Sequence, residues 1–267
     1  MDFVERYGPW ALVAGASEGT GAAFSRQLAE NGLNLILVAR RAGPLEEVAA
    51  RLRDQYGVEV VTASIDLSCP DAIDEIVKAA GDREVGLYIS NAGADPNGSK
   101  FLDSPVQVWV DLVTRNVLTS LRCCHHFGAK MRDRGRGGII LVGSGACYGS
   151  GPHLGTYSGA KAFDLCFAEG LWSELSPLGV DVLNLVMSTT DTPALRDLLA
   201  RNNLPVPATA ASAEDVAAKG LERLPHGPIH NWGLEDDEPG FAGTSAAQRR
   251  ARVNMIAEAS KSVFGKG

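Results

Sequence analysis

Trp10-Ala11-Leu12-Val13-Ala14-Gly15-Ala16-Ser17-Glu18-Gly19-Thr20-Gly21-Ala22-Ala23-Phe24-Ser25-Arg26-Gln27-Leu28-Ala29 is the stretch that decides the fold. Its first five residues form an apolar run of strand length, and its last eight carry helical periodicity. Gly15, Gly19 and Gly21 stand between them, spaced G-x-x-x-G-x-G. Glycine permits the tight turn and lets backbone N–H groups come close to a ligand. The start of a helix adds unpaired N–H donors and the positive end of the helix dipole. Strand, glycine turn and helix in this order therefore suit the pyrophosphate of a dinucleotide.

Outward from that stretch, strand and helix signals alternate. Strands are expected near 10–14, 33–39, 58–63, 85–90, 138–143, 180–186 and 228–232. Helices are expected near 19–31, 44–56, 70–80, 104–130, 155–176, 195–202, 212–223 and 245–262. Alternation at this spacing predicts an α/β fold, a doubly wound Rossmann-like domain with a seven-stranded parallel sheet and helices on both faces. No repeat or long linker divides the chain, so residues 1–267 read as a single domain. Its loosest segments are 188–212, interrupted by Pro193, Pro205 and Pro207, and the acidic 233–244.

Bulk properties agree. A chain of 267 residues, 45% hydrophobic, can bury a core without covalent staples. A net charge of −7 argues against a nucleic-acid surface. The apolar runs are strand-sized, far short of the roughly 20 residues of a membrane span. Residues 1–10 contain Asp2, Glu5 and Arg6 and lack the apolar core of a signal peptide. Five cysteines without framework spacing suit a reducing compartment, so a cytoplasmic location is expected. Cys123-Cys124-His125-His126 has metal-binding residue types, but four adjacent helical positions face several directions, and no metal site is expected.

A second motif supplies chemistry. In Tyr157-Ser158-Gly159-Ala160-Lys161, positions i and i+4 share one helix face, so Tyr157 and Lys161 point the same way. An ammonium beside a phenol favours the phenolate. Ser144 ends the apolar run Ile139-Ile140-Leu141-Val142-Gly143, where its hydroxyl can hold a carbonyl oxygen while the tyrosine exchanges a proton. Alone, tyrosine and lysine four apart on a helix usually mark ordinary surface. The glycine turn upstream makes the difference.

Gly15 to Gly21, Asn91-Ala92-Gly93, Asn116, Ser144 and the Tyr157/Lys161 pair, in this order, resemble the short-chain dehydrogenase/reductase family. The resemblance runs from about Tyr7 to about Trp232. Arg6-Tyr7-Gly8-Pro9-Trp10-Ala11 and Gly32-Leu33-Asn34 look like its branch of hydroxysteroid and long-chain 3-ketoacyl reductases. The resemblance implies a catalytic set of Asn116, Ser144, Tyr157 and Lys161. It implies cofactor contacts from Gly15, Ser17, Glu18, Gly19, Thr20, Gly21, Tyr157 and Lys161. Asp66 would reach the adenine amino group and Leu67 would add a backbone contact. Asn91, Ala92 and Gly93 would line the cofactor, and Thr190 and Thr192 would lie by the nicotinamide. The sequence departs from the family's Pro-Gly at Met187-Ser188, which leaves nicotinamide binding there open.

Cofactor choice is expected at the end of the second strand. A carboxylate there accepts from the ribose hydroxyls of NAD and repels a 2′-phosphate. This chain has Arg40-Arg41 instead, and guanidinium groups match phosphate geometry. The expected cofactor is NADP(H), although two arginines after a strand can also stand in solvent. Glu18 is a mild counterargument, but the branch has NADPH-using members with an acid there.

The expected activity is interconversion of a hydrophobic ketone and its secondary alcohol by hydride transfer, with Tyr157 as acid or base. Ser144, Cys147, His153, Leu154, Tyr157, Met187 and Leu195 are the candidate substrate contacts, with 188–212 as a substrate loop. Ordinary packing would account equally for its leucines. Phe163, Phe167 and Trp172 are candidates for a homodimer or homotetramer contact, or for core. Two alternatives stay open: a non-catalytic nicotinamide redox sensor, and a dehydration or epimerisation on the same scaffold. The latter generally needs a longer substrate region than this chain leaves.

Overall fold

The computed structural model describes residues 3–95 and 97–236, together with Glu238, Arg250, Ala251, Asn254, Met255 and Glu258. Five helical residues (250, 251, 254, 255 and 258) fall within the helix expected over 245–262; the rest of that segment lies outside the described residues.

The elements in chain order are α1 (Phe3–Tyr7), β1 (Trp10–Ala14), α2 (Gly19–Glu30), β2 (Asn34–Ala39), α3 (Ala42–Tyr56), β3 (Val60–Ser64), α4 (Ala72–Ala80) and β4 (Val85–Ser90). Then follow α5 (Val106–Val113), α6 (Thr119–Arg134), β5 (Gly137–Ser144), α7 (Gly155–Leu175), β6 (Val180–Met187), β7 (Thr190–Asp191), α8 (Pro193–Arg201), β8 (Ala211–Ser212), α9 (Ala213–Arg223) and β9 (Ile229–Asn231). Seven strands form one sheet in the order β3-β2-β1-β4-β5-β6-β9, and every pairing is parallel. β7 and β8 pair separately as a two-stranded ribbon.

Strands buried on both faces need apolar residues throughout, which is why β1, β2 and β5 read as continuous runs. Alternate residues nevertheless serve different layers. Ala11, Val13, Leu35, Leu37, Ile140 and Val142 pack with Phe24 and Leu28 of α2 and Val216 of α9. Leu12, Ile36, Val38, Ile139 and Leu141 face the opposite way, onto Ile76, Cys123, Phe127 and Met131. Cys123 and Cys124 thus belong to the core, whereas His125 is exposed. Gly21 lets α2 lie against the turn: a Cβ there would fall 2.0 Å from the Gly15 carbonyl oxygen.

Strand order reverses beside β1, where β2 and β4 flank it and the chain leaves in opposite directions. Ligands of such sheets bind outside the carboxyl ends of the strands at that point. Gly15, Arg40, Asp66, Asn91, Ser144 and Met187 stand at or just past those ends.

Three differences from the expected elements have local causes. The short α1 is new: Tyr7 is buried and donates to Asp181 Oδ2 at 2.6 Å, while Arg6 grips both Asp181 oxygens at 2.7 Å. The expected helix over 104–130 is interrupted by a π-helical turn, Thr114–Leu118, and then runs on to Arg134. α8 begins at Pro193 rather than 195, because proline is favoured at a helix's first position and Thr192 caps it, its Oγ1 accepting from the Leu195 amide at 3.2 Å.

Candidate active site

A cleft of about 440 Å³ runs across the carboxyl edge of the sheet. Of the residues singled out from the sequence, it gathers Gly15, Ser17, Glu18, Gly19, Thr20, Arg40, Arg41, Asp66, Leu67, Asn91, Ala92, Gly93, Ser144, Tyr157, Lys161, Met187, Thr190 and Thr192. The N-terminus of α2 opens into it. Glu18, the residue before that helix, makes no side-chain cap, so the first amides have no side-chain partner there.

The charged groups past β2 and β3 are paired unevenly. Arg41 Nη2 donates to Glu18 Oε2 at 2.5 Å, whereas Arg40 has no ion pair among the described residues. Asp66 Oδ1 accepts from the Ser68 hydroxyl at 2.6 Å and the Ser68 amide at 3.0 Å, which holds its carboxyl below the usual range. Arg115 also lines the cleft and donates to the Ala94 carbonyl at 3.1 Å; its burial lowers the guanidinium, and Asp66 opposes that. Sequence reading missed Arg115, although it precedes Asn116 and faces the same crevice.

Ser144, Tyr157 and Lys161 share the wall formed by the end of β5 and the first turns of α7. Ser144 Oγ accepts from the Ala146 amide at 3.2 Å, leaving its own proton free to donate into the cleft. Lys161 is buried, and its Nζ donates to the Val142 carbonyl at 2.9 Å and to Asp164 Oδ2 at 3.1 Å. Asp164 was not foreseen, yet i,i+3 spacing from Lys161 puts the two on one helix face.

Asn116 does not line the cleft; it stands one layer behind it, in the π-helical turn. Its Nδ2 donates to the Leu112 carbonyl at 2.9 Å, while its buried Oδ1 has no hydrogen-bond partner. A Cβ added to Gly93 would meet that Oδ1 at 2.5 Å and Lys161 Nζ at 2.7 Å. Gly93 is therefore the thin partition that lets Asn116 and Lys161 approach one another.

Five further candidates also lie off the cleft lining. Gly21 serves helix-to-turn packing. Cys147 is turned inward at 8% exposure. His153, at φ +70°, is tied by Nδ1 to the Gly98 carbonyl at 2.8 Å. Leu154 caps α7, and Leu195 sits in the first turn of α8. Among the substrate candidates, Ser144, Tyr157 and Met187 do line it.

A glycine turn under a helix N-terminus, at the switch point of a parallel sheet, defines a dinucleotide-binding Rossmann-type protein. Residues 9–203 match the family described as short chain dehydrogenase, and the chain belongs to that family of oxidoreductases. It lies near the hydroxysteroid dehydrogenase branch. It is 32% identical over 231 residues to a 7beta-hydroxysteroid dehydrogenase of Mediterraneibacter gnavus, covering 84% of this chain and 86% of that one. A solved structure from a study of 7beta-hydroxysteroid dehydrogenase stereoselectivity superposes with a TM-score of 0.80 at 31% identity, over 88% of this chain and 91% of the other. A short-chain dehydrogenase from Sphingobium yanoikuyae, in complex with NADPH, gives a TM-score of 0.75 at 28% identity, over 85% and 89%.

Proposed function

We propose that this protein is an NADP(H)-dependent reductase of a hydrophobic ketone, or the dehydrogenase of its secondary alcohol, with Tyr157 as the proton donor or acceptor. The observation that carries this reading is the meeting of Ser144, Tyr157 and Lys161 on one cleft wall, with Asn116 immediately behind Gly93.

The cleft fits the cofactor. Glycine at positions 15 and 19 and the uncapped start of α2 suit a pyrophosphate, and Arg40 and Arg41 suit a 2′-phosphate. The NADPH-bound relative supports the same choice. When bound, the reduced cofactor supplies a hydride. Negative charge then builds on the substrate oxygen, which the Ser144 hydroxyl stabilises by donating to it. Tyr157 delivers its phenolic proton to that oxygen and, in the reverse direction, takes it back. Lys161, as a cation on the same helix face, favours the phenolate that remains. The unpartnered Asn116 Oδ1 is placed to accept from a water that returns a proton through Lys161.

An apolar substrate is supported by Met187 at the cleft and by the hydroxysteroid relatives. We assign residues 1–267 to one domain, with 188–212 covering the substrate. The five free cysteines favour a reducing, cytoplasmic setting, and no helix among the described residues is long and apolar enough to cross a membrane. For a homodimer we favour Val106, Val110, Leu118 and Leu121, which are exposed on α5, the π-helical turn and α6. Phe167 and Trp172 pack against this chain's own core, and Phe163 stacks on Phe167 at 5.3 Å.

The test is a panel of bulky ketones and alcohols with both nicotinamide cofactors, followed by absorbance of the reduced ring. Tyr157→Phe should bind NADPH as wild type does and lose about 10²–10⁴-fold in turnover. Turnover unaffected by that change would make the protein a cofactor sensor instead, and light scattering decides the dimer.

A further inference from the structure

Asp164 is a carboxylate at 3% exposure in the middle of α7, where the energetic cost of burying charge demands an explanation. Its Oδ2 accepts from Lys161 Nζ at 3.1 Å, and its Oδ1 is buried with no hydrogen-bond partner. An ammonium has three N–H groups. Two of those on Lys161 are taken up by Val142 and Asp164, so one remains for the side on which Gly93 and Asn116 stand. The lysine on which the proposed function depends is thus held from two sides and partly neutralised by a group that the reaction itself does not require.

Resting on that proposed function, we propose that Asp164 is a positioning residue that clamps the Lys161 ammonium, offsets its charge, and thereby sets the pH at which turnover switches on and off. The groups facing the pair support this. From α7 there is Lys161 itself; from α6 there is the Cys124 thiol, which burial pushes well up, so that it stays neutral. β5 contributes only the Val142 carbonyl, and the turn before α6 contributes the uncharged Asn116. Tyr88 on β4 lies beyond the Cys123 and Cys124 thiols, and burial holds it neutral as well. Burial pushes the Asp164 carboxyl up from its ordinary value, and Lys161 draws it back. No other ion pair reaches either group among the described residues. The buried pair on this side of the cleft wall therefore consists of one cation and one anion.

Removing the anion has a definite sign. With Asp164→Asn the shape is kept and the Lys161 charge is no longer offset, so the phenolate side of the Tyr157 equilibrium gains. The acid limb of alcohol oxidation and the alkaline limb of ketone reduction should both move to lower pH, by about one unit, the low end of what one nearby charge does. A purely packing role would lower rates or stability and leave both limbs in place.

The experiment records both profiles for full-length wild type, Asp164→Asn and Asp164→Val, the last being neutral and suited to a buried site should the amide impair folding. A second readout needs neither cofactor nor turnover: the ultraviolet phenolate difference between each protein and its Tyr157→Phe counterpart, titrated with pH. Parallel displacement of profiles and titration to lower pH is expected. Profiles that coincide with wild type, or a titration that does not move, overturn the role of Asp164. If wild type turns over no ketone or alcohol, the proposed activity fails, and the phenolate titration still decides whether Asp164 governs the Lys161–Tyr157 pair.

Discussion

Arg41 and Glu18 are joined across the mouth of the cleft, Nη2 to Oε2 at 2.5 Å, linking the start of α3 to the N-terminus of α2. The basic residue expected to receive a phosphate thus already has an anion of its own, and both partners are partly exposed to water. A dianionic phosphate is a stronger acceptor than a solvated carboxylate. The pair therefore acts as a weak competitor for the cofactor.

Glu18→Gln should tighten NADPH several-fold and leave NADH unchanged or slightly tighter, since exposed pairs contribute little and are screened by salt. Arg40→Ala should weaken NADPH by about tenfold or more, the scale of one charge-assisted hydrogen bond. Fluorescence titration of both cofactors reads both effects. Equal affinity of wild type for NADPH and NADH would refute the assignment at the end of β2.

Gly93→Ala should lower kcat by about 100-fold or more. The added methyl would lie 2.5 Å from Asn116 Oδ1 and 2.7 Å from Lys161 Nζ. Both neighbours are fixed, one by Leu112 and the other by Val142 and Asp164, so neither yields cheaply. Misplacement of about 1 Å is enough for a loss of that size. Steady-state kinetics beside a melting curve separate it from simple unfolding.

Asp181→Ala should cost about 3 kcal/mol of stability, because the buried Tyr7 hydroxyl and the Arg6 guanidinium would lose their shared acceptor. Urea unfolding measures this. Activity per folded molecule should change little, since the triad lies at the opposite edge of the sheet from the cleft, before the first residue of β1 and at the start of β6.

His230 is buried on β9, and that burial lowers its imidazole below the ordinary value of 6.5. The unfolded chain therefore binds a proton that the folded state resists, and stability should fall as pH drops through and below that ordinary value. His126, also lowered by burial, acts in the same direction. Melting temperature followed against pH should show the loss, and His230→Gln should reduce it.

The sheet and the cleft were legible because their signals are local. β1, its glycine turn and α2 are contiguous, and Arg40, Asp66, Asn91 and Ser144 each end an apolar run, so a parallel topology brings them together without further information. The π-helical turn was not legible, since the signal for Asn116 is a single polar residue in a helical pattern, and its Leu112 partner is set by backbone geometry. The helix expected from 195 starts two residues earlier, because Pro193, which looks like a breaker, is made a beginning by the cap from Thr192. The Glu18–Arg41 pair spans 23 residues and depends on the folded turn. Asp164 could have been read, for a carboxylate three residues after Lys161 shares its face.

The turn at Thr114–Leu118 also bears on how this scaffold tolerates length changes. A π-helical turn holds one residue more than the regular coil around it. Deleting a single residue there would let α5 and α6 merge into an uninterrupted rod, an event nearly invisible in helix content. Residues on either side would keep their facing, since the wide turn absorbs the extra residue, but the Asn116 amide that this turn carries would lose its place beside Gly93. The most damaging small deletion in this protein would therefore be one that makes it look more regular.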